Sequence, residues 1–67
     1  MSQTSAILAH LQSGATLTPL EALDRFGCLR LSARVLDLRK LGHHIETRRI
    51  QRGRKYWAEY RMESTWA

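Results

Sequence analysis

The sequence predicts an α+β fold, three helices followed by a two-stranded β-hairpin, and three observations carry that reading. Thr18, Pro19 and Glu21 spell a helix start. Leu31, Val35 and Leu38 recur at i, i+4 and i+7. Alternation of period two then runs through residues 45–50 and again through residues 56–62. The chain has 67 residues, which suits one small domain over 1–67 with a core at about 4–62. A chain of this size buries only roughly 60% of its unfolded surface, too little to enclose the deep cleft most enzymes need, so no catalytic residues are assigned.

Each element has a local cause. In the first segment Ile7, Leu8 and Leu11 share one helical face and Gly14 follows as a left-handed stop, which predicts a helix at about residues 4–12. The second helix begins with Thr18 as N-cap, Pro19 at the first helical position where no N–H is missed, and Glu21 reaching back to complete a capping box. Leu20, Leu23 and Phe26, with Ala22 beside them, form its expected apolar stripe, and Gly27 ends it after about two turns. A short turn through Cys28, Leu29 and Arg30 leads into the third helix, whose stripe of Leu31, Val35 and Leu38 is expected to continue to Leu41 before Gly42 closes it. In the hairpin, Ile45, Ala58, Tyr60 and Met62 should face the helices, leaving Glu46, Arg48, Glu59 and Arg61 to pair or meet solvent. Residues 63–67 show no pattern and read as a flexible tail.

The 11 Lys and Arg against 6 Asp and Glu are unevenly placed. Residues 1–27 carry a net charge of −1 and residues 28–67 a net charge of +6. Such an asymmetry steers a chain toward a polyanion. Nine of the eleven cations are Arg, whose planar fork pairs bidentately with phosphate or a guanine edge, so the bias favours nucleic acid over plain solubility. The single cysteine excludes an internal disulfide, and with no signal-peptide pattern the chain reads as cytoplasmic. No apolar run approaches the roughly 18 residues a membrane span needs. His10, Cys28, His43 and His44 lack the paired spacing of a zinc site, so no metal or cofactor is expected, and Cys28 reads as a small apolar plug between the second and third helices.

Two helices joined by a tight turn, the second with an exposed Arg face, followed by a hairpin, make a winged helix-turn-helix arrangement. Through Leu17-Thr18-Pro19-Leu20-Glu21-Ala22-Leu23, Phe26-Gly27-Cys28-Leu29-Arg30-Leu31-Ser32-Ala33-Arg34, Asp37-Leu38-Arg39 and Gly42, the chain resembles winged helix-turn-helix DNA-binding domains, and in particular small phage and prophage proteins of that kind. The resemblance spans residues 7–62. It implies that Arg30, Ser32, Ala33, Arg34 and Asp37 lie on the DNA-reading face of the third helix. Arg34 would then make a bidentate base contact, Arg30 and Ser32 would touch backbone or base edges, and Asp37 would orient Arg34. The alternative for Arg34 is an internal ion pair with Asp37. The N–H groups that open the second helix could also receive a phosphate.

The hairpin tip carries Arg48, Arg49, Arg52, Arg54 and Lys55, five cations within eight residues. Such density suits a wing on the DNA backbone or in the minor groove. The plainer reading is a charge-protected edge that resists aggregation. Tyr56 and Trp57 beside the cations either stack on bases or send one ring inward. The implied partner is double-stranded DNA, contacted by a small phage or prophage transcription regulator or recombination-directionality factor in a bacterial cytoplasm. High specificity would call for a homodimer or tandem copies along DNA. The alternative partner is an acidic host or phage protein docked on the same basic surface. Trp66 near the end is the residue most suited to a docking role.

Overall fold

The computed structural model describes residues 3–62. The tail over residues 63–67, and with it the docking role expected of Trp66, lies outside them. The order is α1 (Gln3–Gln12), α2 (Pro19–Phe26), α3 (Leu31–Lys40), β1 (Ile45–Arg52) and β2 (Lys55–Met62).

Local chemistry places the ends of α2. The Thr18 hydroxyl accepts the Glu21 N–H at 3.2 Å, and the Glu21 carboxylate accepts the Thr18 N–H at 3.0 Å, so the expected capping box is present. Gly27 terminates the helix at φ 64°, a left-handed conformation that glycine adopts without steric cost. The Glu21 carboxylate thereby places a negative charge beside the N–H groups that open α2, which disfavours a phosphate there.

Every element contributes to one core of Ile7, Leu11, Leu17, Ala22, Cys28, Leu31, Val35, Leu38, Ile45 and Tyr60, with Leu8, Phe26, Ala58 and Met62 packed against it. The four hairpin residues expected to face the helices do so, and Cys28 fills the position foreseen for it. The α2 stripe is different. Leu20 is 76% and Leu23 44% exposed, while Ala22 is completely buried. The helix is rotated so that Ala22 and Phe26, one turn apart, point inward, because a methyl group allows the close approach to neighbouring elements that a leucine would block. Leu41 also departs from expectation at 74% exposure. The His43 N–H bonds the Leu38 carbonyl and the Gly42 N–H bonds that of Arg39, closing α3 in a Schellman motif, and Leu41, still in the right-handed helical region as the C-cap, stands to the side of the buried stripe.

The strands pair antiparallel from Ile45 opposite Met62 to Arg52 opposite Lys55. They run further than the alternation suggested, so the connection shrinks to Gly53 and Arg54. Gly53 has φ 60° as the first central residue, the requirement of a type II′ hairpin turn. Leu17 adds a one-residue third strand through paired hydrogen bonds with Tyr60 at 2.9 and 2.8 Å. This ties the α1–α2 connection to β2. His10 secures the same connection by a 2.9 Å hydrogen bond with the Thr16 carbonyl, its ring set edge-on to Phe26.

Candidate nucleic-acid interface

Burial runs out along the hairpin. Ile45, Tyr60 and Met62 lie on or against the core, whereas Arg49, Gln51, Arg52, Arg54, Lys55 and Tyr56 are exposed, so the distal half projects as a wing. Register then sorts its cations. Arg49 shares the helix-side face with Ala58 and Tyr60, while Arg48, Arg52 and Lys55 belong to the opposite face, with Arg54 in the turn. Arg48 stands across the ladder from Glu59, beside the Glu46–Arg61 ion pair at 3.2 Å, in a face of alternating sign. None of the five wing cations, Arg48 included, has a carboxylate within ion-pairing distance among the described residues.

The two wing aromatics face opposite sides: Tyr56 is 64% exposed, whereas Trp57, at 36%, turns toward the start of α2 without joining the buried core. Tyr56 lies under the Arg49 guanidinium, 4.7 Å from its ring centroid, a cation–π contact that holds this arginine against the strand. Trp57 lines an apolar groove with Thr18, Pro19, Leu20, Glu21 and Lys55.

The third helix presents the remaining candidates. Arg30 is its N-cap and makes no side-chain capping bond, and the first turn holds no acid. In contrast to α2, this helix start can accept an anion. Ser32 is exposed and Ala33 half-buried. Arg34 forms an ion pair with Asp37 at 3.2 Å, both side chains remaining substantially accessible at 38% and 46%. That pair satisfies both readings of Arg34, since an orienting carboxylate and a plain ion pair have the same geometry in the free protein.

Three residues that the sequence reading left unassigned complete the surface. Arg39 donates to the Ile45 carbonyl at 2.7 and 3.1 Å and to the Thr47 hydroxyl at 2.8 Å, lashing the end of α3 to the root of the wing. Leu36 and Lys40 are exposed. At 3.6 residues per turn they stand with Ala33 opposite the buried Leu31, Val35 and Leu38. That placement was available from the helical wheel, but a leucine in a helix reads first as core. Among the described residues no group of three His, Cys, Asp or Glu side chains converges as a metal site.

Three helices, a β-bridge at Leu17, and a basic hairpin held beside an exposed third helix define a winged helix-turn-helix protein, a class that typically binds DNA without catalysis. The family model described as winged helix-turn-helix domain matches residues 2–64, and the chain belongs to that family. Searches of curated proteins and of solved structures returned no significant match. No helix among the described residues is long and apolar enough to cross a membrane.

Proposed function

We propose that the protein binds double-stranded DNA with sequence preference, α3 entering the major groove and the wing following the backbone or the adjacent minor groove. The observation that carries this reading is the wing itself: Arg49, Arg52, Arg54 and Lys55 are exposed and unneutralised by described carboxylates, on a hairpin that Arg39 fastens to α3. Concentrated like charge of this kind is relieved by a polyanion. The resemblance to small phage and prophage proteins supports the narrower role of a transcription regulator or recombination-directionality factor. Because one copy reads few base pairs, such a role would use two copies on a two-fold site or several in tandem. Gel shifts on a random duplex pool at low salt test the reading. Retarded complexes are expected, and their absence would overturn it.

A second reading has its own support in the apolar groove of Pro19, Leu20 and Trp57 beside the wing. A protein-interaction module would use that groove and the neighbouring cations to hold an acidic host or phage protein. A partner that survives nuclease treatment in a pull-down, together with no affinity for duplex, would favour it over DNA.

A further inference from the structure

The outermost line of α3 consists of Ser32, Ala33, Leu36 and Lys40, and Leu36 is its only large apolar side chain, 51% exposed. The core does not call for a leucine there, because the helix already buries Leu31, Val35 and Leu38 on its other side. Its surroundings are ionic. Its helical neighbours one turn on are Arg39 and Lys40, both cations, so the occupant of this face must offer an apolar group within a negatively charged frame.

We infer that Leu36 is a specificity residue that recognises the C5-methyl group of a thymine in the major groove. The inference rests on the duplex-DNA reading proposed above and names what one position of that face reads. Major-groove edges present hydrogen-bonding atoms at every base pair, and thymine alone adds an apolar methyl. The small side chains of Ser32 and Ala33 let the helix approach closely enough for Leu36 to cover that methyl. Exclusion sharpens the choice. Cytosine at the same place offers only a C5–H where thymine carries its methyl, so the leucine loses its apolar contact there.

The test uses the full chain and a duplex recovered from a random pool, each thymine in turn replaced by deoxyuridine, which removes the methyl and keeps every hydrogen-bonding atom. Fluorescence anisotropy on the wild type should show one thymine, or two in a symmetric site, whose replacement weakens binding about fourfold, the worth of one buried methyl. For Leu36→Ala the thymine and deoxyuridine duplexes should bind alike. A site insensitive to every replacement, or a sensitivity that persists in Leu36→Ala, overturns the assignment and leaves duplex binding standing. Wild-type affinity and preference in Leu36→Ala likewise overturn it and direct this leucine to a protein contact. Recovery of no duplex at all overturns both this inference and the function it rests on. Circular dichroism of the variant separates a binding effect from misfolding.

Discussion

Arg34 and Asp37, three positions apart on α3 and 3.2 Å apart in space, test whether a charge pair is there to orient a reader or to neutralise one. The two roles predict opposite signs for a single substitution. If Asp37 aims Arg34 at a base, Asp37→Ala weakens binding and relaxes preference at the base pair that Arg34 reads. If the pair only neutralises charge, removing a carboxylate from a surface that meets phosphates strengthens binding to every duplex. We expect the first outcome, with Arg34→Ala costing about 1–3 kcal/mol at one base pair. Affinities of both variants on single-position variants of a selected site will check it. The same scale governs stability at Ala22, which is fully buried between α2 and its neighbours. Ala22→Leu adds three carbons where the helices meet and should destabilise the protein by about 1–3 kcal/mol, read from thermal or urea unfolding.

At the scale of elements, the distinctive contact is Arg39, which carries three hydrogen bonds from α3 to the first residues of β1. A helix in one groove and a wing on the flanking backbone must keep a constant spacing, and a two-stranded hairpin that projects from the core cannot supply it alone. Arg39→Ala should therefore lower stability only modestly, by about 1 kcal/mol, since its side chain is accessible to solvent. Its larger effect should fall on the wing. Amide exchange in the distal half of β1 and β2 should speed up while that of α1 and α3 stays near wild type, as measured by hydrogen–deuterium exchange. Equal acceleration throughout would mean that Arg39 supports the whole fold.

At the scale of the molecule, size limits what is read. The longest dimension is 34 Å, about one helical turn of duplex, so in the proposed binding mode a single copy would cover one major groove and its flank. With four to six phosphates neutralised over that length, log affinity should fall against log salt with a slope of roughly −4 to −5. Arg52→Ala should weaken all sequences alike and reduce the slope by about 1, as titrations at several salt concentrations will show. A wild-type slope near zero would contradict a wing on phosphate.

Much of this was legible along the chain because its causes are short-range. The capping box at Thr18 and Glu21 closes within four residues, the α3 stripe repeats within three turns, and the core-facing positions of the hairpin follow from alternation. Other features answer to partners distant in sequence. The rotation of α2 that buries Ala22 instead of Leu20 depends on how closely other elements approach, and the one-residue strand at Leu17 exists only because Tyr60 arrives beside it. The division of the wing cations between two faces follows from the register, and the grip of Arg39 from the return of β1 past the end of α3. Element type and polarity are thus written in local spacing, where neighbouring residues compete for a few backbone conformations. The working surface is set by packing, which chooses the side of each element that is left for DNA.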